Sequence, residues 1–171
     1  MSIKRQIFYS FHFDNDVFRV QQIRNIGFIE GNQPVTANRW EEIKRAGTKE
    51  IEKWIDDNMK GKTCVVVLVG EGTANRPWVR HEITKAWKDG KGVLGIYVHN
   101  IKCARTVREN PFSSGKCSKG QNPFETFKLG DESLSSIVKC YNPSSSDAYN
   151  DIKNNIDKWI EDAINTRKRY A

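Results

Sequence analysis

Three apolar runs alternating with amphipathic stretches predict an α/β domain of the flavodoxin-like, three-layer kind with a mostly parallel sheet. The runs lie at about 4–13, 63–70 (TCVVVLVG) and 93–98 (VLGIYV). The second and third are apolar almost without interruption, as in strands covered by helices on both faces. A strand–helix–strand–helix order then implies parallel pairing through right-handed crossovers. With 171 residues the chain accommodates one domain, 1–171, and no internal repeat marks a second.

The first strand is followed by a helix that starts near Asp14, Asn15 and Asp16, whose short polar side chains suit an N-cap. Val17, Val20 and Ile23 supply its apolar side, and Gly27 ends it. A short strand is expected near Pro34 and Val35. A helix over about 40–59 follows, with Ile43, Ile51, Trp54 and Ile55 at core-facing spacings, Gly47 weakening its middle and Gly61 just beyond its end. After the Val-rich strand a further helix runs to about Gly90, and the strand at 93–98 comes next. The last helix, about 146–168, is the clearest: Tyr149, Ile152, Ile156, Trp159, Ile160, Ala163 and Ile164 trace one face, and Ser146 with Asp147 forms its start.

Between about 101 and 135 the chain turns polar and rich in Gly, Ser, Pro and Lys, with only Pro111-Phe112 and Pro123–Phe127 as apolar anchors. A loop of this length is uncommon in a compact domain. Either it is an ordered excursion that caps a site or a surface insertion without a role. Residues 137–141 suit a final edge strand.

Composition narrows the functional classes. The formal net charge of +7 suits a nucleic-acid surface or an anionic small molecule, but the densest basic cluster, Arg167-Lys168-Arg169, follows the last helix, where cations complement the helix dipole. A solvated tail is the simpler reading, and nucleic acid is not the expected partner. No apolar run approaches the roughly 20 residues needed to span a bilayer, and no signal-peptide pattern opens the chain, so a cytoplasmic protein is expected. Cys64, Cys103, Cys117 and Cys140 lack CxxC spacing, which points to reduced thiols and away from zinc. No paired acidic cluster or H-E-x-x-H is present, and His12, His81 and His99 are far apart in sequence, so no metal site is expected. No G-x-G-x-x-G or G-x-x-x-x-G-K-[ST] loop appears either.

Residues 75–83 (NRPWVRHEI) open a helix with an aromatic and a carboxylate on one edge. Trp78 and Glu82 are four residues apart and lie within roughly 40° of each other on a helical wheel. Val79, Ile83, Ala86 and Trp87 form the neighbouring stripe, so the carboxylate borders the core, soon after the carboxyl end of a buried strand. Open α/β sheets bind ligands at that edge. The alternative is a first-turn glutamate that complements the helix dipole.

PWVRHEI (77–83) resembles the Trp-x-x-x-Glu segment of the Toll/interleukin-1 receptor (TIR) domain family, and IFYSFHFDND (7–16) resembles that family's first box. Phe8-Tyr9-Ser10-Phe11 stands where the family has its Phe-x-Ser-Tyr strand end. Trp40-Glu41-Glu42 stands where TIR enzymes carry an aromatic after the mobile loop that covers the nucleotide. The bacterial TIR-like proteins of the Thoeris antiphage type are most similar, through Ser-Phe-His, a Trp-Glu pair and Trp-Val-Arg-x-Glu-Ile. The resemblance spans about 4–100.

It implies the TIR fold and an enzyme that consumes NAD as substrate, with no further cofactor, to make an ADP-ribose-derived signal, cyclic or not, for a downstream effector. It implies self-association as well. Glu82 is the catalytic candidate, facing the oxocarbenium ion formed as nicotinamide leaves. Ser10, Phe11, His12, Trp40 and Trp78 are the substrate-binding candidates. Ser10 bonds ribose or only its local backbone. Phe11 flanks the nicotinamide ribose or packs. His12, where the family often has Arg, donates to phosphate or sits exposed. Trp40 stacks on a ring or anchors the core, and Trp78 buttresses Glu82 or meets ligand. Two other readings remain open: a non-catalytic TIR scaffold acting by homotypic assembly, and an enzyme similar to nucleoside deoxyribosyltransferases.

Overall fold

The computed structural model describes residues 5–11, 19, 22–23, 30–31, 37–102 and 119–170, with side chains described at all of these except 30–31 and 37–41. Five strands form one parallel sheet: β1 (Gln6–Ser10), β2 (Glu30–Gly31), β3 (Cys64–Val69), β4 (Gly92–Tyr97) and β7 (Cys140–Tyr141). A separate antiparallel pair, β5 (Lys128–Leu129) and β6 (Glu132–Ser133), belongs to the long excursion. The helices are α1 (Ala37–Ala46), α2 (Thr48–Met59), α3 (Pro77–Lys88) and α4 (Ala148–Arg169), with short 3-10 turns at Thr73–Asn75 and Leu134–Ser136.

The sheet order is β2-β1-β3-β4-β7, which is the flavodoxin-like order 2-1-3-4-5. Every residue of β3 and β4 is buried. Because side chains alternate across a strand, these runs feed two separate cores. Ile7, Tyr9, Cys64, Val66, Leu68, Leu94 and Ile96 pack with Ile152, Ile156 and Ile160 of α4 on one face. Phe8, Val65, Val67, Val69, Val93 and Tyr97 pack on the other with Ile43 of α1, Ile51, Ile55 and Met59 of α2, and Val79, Ile83 and Ala86 of α3. Two helical layers thus enclose one sheet, and periodicity alone accounts for which residue serves which layer.

Several boundaries differ from expectation. The helix expected at 40–59 is two helices that break at Gly47, whose φ of 104° and ψ of −179° lie in a region essentially reserved for glycine. Folding the chain there lets α1 and α2 both place residues in the second core. The short strand lies at Glu30–Gly31, and the expected position near Pro34 and Val35 falls outside the described residues. The first helix is described only at Arg19, Gln22 and Ile23, all helical. The edge strand at 137–141 pairs only through Cys140 and Tyr141.

α4 begins after Asp147, whose side chain accepts from the Asn150 amide, 3.3 Å away. Its far end corrects the solvated-tail reading in part. Arg167 donates to the Trp87 carbonyl at 3.0 Å and lies 4.7 Å over the Trp87 ring, tying α4 to the end of α3. Arg5 donates to both carboxylate oxygens of Glu161, at 2.6 and 2.9 Å, and fastens the start of β1 to the same helix. Cys64 and Cys140 are free thiols, while Cys103 and Cys117 lie outside the described residues. Among the described residues no helix is long and apolar enough to cross a membrane.

Candidate functional site

In this strand order the chain leaves β1 toward β2 on one side and returns to β3 on the other, so the carboxyl ends of β1 and β3 flank a crevice. Ser10 is the last residue of β1, paired in register with Val67 of β3, and is 1% exposed. It lies on the sheet face that meets α1, α2 and α3, because Phe8 two residues earlier packs there.

Helix α3 carries the carboxylate. Pro77 occupies its first turn, where a missing N–H costs nothing, and Arg76 precedes it in extended conformation. Val79, Glu82, Ile83 and Ala86 are its buried residues, spaced three, four and seven apart. Glu82 therefore sits within the inward stripe and not merely beside it. It also sits in the second turn, and α3 has no acidic residue in its first, so the helix-dipole explanation of this glutamate does not hold.

Glu82 is 7% exposed, and burial pushes its carboxyl up to about 8. The neighbouring Ser10 hydroxyl opposes part of that shift, though without a full hydrogen bond: among the described residues neither Ser10 Oγ nor Glu82 Oε2 has a partner. Buried polar atoms are satisfied in the great majority of cases, and an unmet pair here costs on the order of 1–3 kcal/mol per group. A structural role for this glutamate would call for partners. A ligand with hydroxyls and positive charge would supply them.

Of the other candidates, Trp78 and Phe11 have described side chains. Trp78, one turn before Glu82, is half-buried, packs against the second core and meets the His81 ring edge-on at 5.9 Å between centroids. His81 Nε2 is buried and has no hydrogen-bond partner among the described residues. Phe11 follows β1 and packs against the first core, on the face opposite to α3. Trp40 belongs to α1, but its side chain lies outside the described residues, as does the whole of His12. No group of three His, Cys, Asp or Glu side chains is gathered for a metal among the described residues.

Two neighbours of this crevice carry no sequence signal. The Gly70 amide donates to Thr73 Oγ1 at 2.8 Å, turning the chain from β3 toward α3. Gly120, far along the excursion, approaches Gly70 so closely that a Cβ there would stand 1.9 Å from the Gly70 carbonyl oxygen. In a Gly- and Ser-rich loop, nothing distinguishes this glycine from the rest.

The fold and the crevice define a parallel α/β domain with a buried acid at its topological switch point. Residues 8–102 match the family described as "Thoeris protein ThsB, TIR-like domain", more than half of the chain, and the chain belongs to that family. It is also 31% identical over 126 residues to a Bacillus cereus (strain MSX-D12) protein named "Putative cyclic ADP-D-ribose synthase ThsB1". That match takes in 71% of this chain and 62% of the relative's length.

Proposed function

We propose that this domain cleaves the bond between nicotinamide and ribose in NAD, releasing an ADP-ribose-derived messenger, cyclic in the favoured case, that signals in antiphage defence. The observation that carries the reading is Glu82, buried beside Ser10 at the switch point with an oxygen left unpartnered. Family membership and the relative's printed name support it.

In the reaction the C–N bond breaks and nicotinamide departs with the bonding electrons, neutral because its ring was cationic in NAD. No acid catalyst is needed. The ribose is left as an oxocarbenium ion, and the Glu82 carboxylate stabilises that charge and holds the ribose hydroxyls. Burial makes the carboxylate a poor anion in the free protein, so a cationic substrate drives its ionisation as it binds. The ion is then captured by water, which loses a proton to give ADP-ribose, or by a nucleophilic atom of the same ADP-ribose, which loses a proton to give a cyclic product.

Within this reading Ser10 hydrogen-bonds ribose, Trp40 stacks on a ring, His12 meets the diphosphate and Trp78 supports the Glu82 turn, while Phe11, packed on the opposite face, serves the core. The domain works in the cytoplasm as an assembly of copies, and its product activates a separate effector. Mass spectrometry of products after incubation with NAD tests the reading. Nicotinamide and an ADP-ribose species are expected from the natural chain and not from Glu82→Gln. Turnover of deoxynucleosides in place of NAD would move the protein to deoxyribosyl transfer.

A further inference from the structure

The returning arm of the excursion, residues 119–127, is fastened to the same end of the sheet by contacts of four kinds. The Lys119 ammonium lies 4.5 Å over the ring of Tyr97, the last residue of β4. Gly120 packs so closely on the Gly70 backbone that an added Cβ would enter the Gly70 carbonyl and stand 3.4 Å from Val69 Cγ1. Phe124 is fully buried in the core that holds Val67, Val69, Val79 and Ile83. Arg80, two residues before Glu82, donates to Thr126 Oγ1, and its guanidinium lies 4.6 Å over the Phe127 ring.

The register places this arm relative to Ser10. Val67 pairs with Ser10, so Gly70 stands three residues farther along the strand direction, about 10 Å at roughly 3.3 Å per residue. The Gly70–Gly120 contact therefore lies beyond Ser10 in the strand direction, at the carboxyl edge of the sheet. Glycine is required at 120 because any side chain would enter the Gly70 carbonyl.

We propose that the Lys119–Gly120 segment is the outer wall of the Glu82 pocket and a determinant of product: by seating against Gly70 it keeps water from the anomeric carbon and leaves an atom of the bound ADP-ribose as acceptor. The inference rests on the NAD-cleavage reading above. Opening the wall does not remove the carboxylate, so bond cleavage persists while capture shifts to solvent.

The test compares the natural chain with Gly120→Val and Lys119→Ala in NAD and dilute methanol, measuring nicotinamide, ADP-ribose, its methyl glycoside and the cyclic product. Gly120→Val should raise the ratio of solvent-captured to cyclic product about tenfold, equivalent to about 1.4 kcal/mol of relative barrier, with nicotinamide release reduced by less than that factor. Lys119→Ala, which loosens the segment without adding volume, should shift the ratio the same way and decides the matter if Gly120→Val does not fold. Unchanged ratios in folded variants would overturn the inference alone. So would a natural chain that hydrolyses all the NAD it cleaves, with the cleavage reading left standing. A natural chain that releases no nicotinamide overturns both.

Discussion

Ser10 and Glu82 lie side by side at the carboxyl end of β1, a buried hydroxyl and a buried carboxyl that come from segments 72 positions apart in sequence and stop short of a full hydrogen bond. One stands at the end of a strand and the other on the inward stripe of α3, so the pair exists only because β1 and β3 are neighbours in the sheet. Its electrostatics set most of the expected behaviour.

Glu82→Gln keeps shape and polarity but removes the anion. NAD cleavage should fall by on the order of 10² to 10³, the usual loss for one preorganised electrostatic group, about 2.7 to 4 kcal/mol. Nicotinamide release measured beside circular dichroism checks it: unchanged turnover in a folded variant refutes the catalytic role.

Stability should depend on pH with a definite sign. The folded protein holds a proton on Glu82 up to about pH 8, whereas the unfolded chain releases it near 4.5. Between those limits the folded state binds more protons, so stability falls as pH rises, by about 5 kcal/mol at most, and levels off above 8. Urea denaturation at several pH values should show this slope in the natural chain and its absence in Glu82→Gln.

The same ionisation should govern turnover. kcat/KM reports the free enzyme, so it should rise with pH through an inflection near 8. The inflection in kcat should lie lower, because the bound cation favours the carboxylate. Ser10→Ala should move the kcat/KM inflection upward, since the hydroxyl opposes the effect of burial. A flat profile from pH 5 to 9 would contradict this assignment.

Gly47→Ala separates two readings of one residue. A glycine within a continuous helix would gain roughly 1 kcal/mol on becoming alanine. At φ 104° the same change forces a side chain into a conformation that costs on the order of 1–3 kcal/mol, so chemical denaturation should show destabilisation.

Trp78→Ala should lower both stability and activity, because the half-buried indole packs against the second core one turn from Glu82. A loss of about 2 kcal/mol is expected, below the range for fully buried tryptophan. A drop in activity without any shift in the unfolding midpoint would instead favour ligand contact.

Self-association predicts that nicotinamide release per subunit rises with protein concentration, as neighbours increase the share of competent sites. Charge reversal at Lys49 or Lys53, both exposed on α2, is expected to blunt that rise and spare the fold. A dilution series paired with light scattering measures it, and full specific activity from a strict monomer would exclude the dependence.

Uninterrupted apolar runs and stripes of period 3.6 were sufficient for the parallel α/β class and for β3, β4 and α4, because burial is written directly in the order of the chain, while the family was legible only as a resemblance of the segments at 7–16 and 77–83. The same stripes on α3 brought Glu82 to the edge of the core. Local pattern does not contain the backbone angle that turns Gly47 into a break, nor the docking of Arg167 on Trp87. It also says nothing of where the excursion returns. Whether Glu82 is a solvated helix-end charge or a buried acid near pH 8 depends on what covers it, and the inward stripe of α3 turns it toward Ser10 of β1. Desolvation is a property of the assembled surroundings. Only the tertiary structure, by setting Ser10 beside Glu82 and Gly120 against Gly70, decided the character of this crevice.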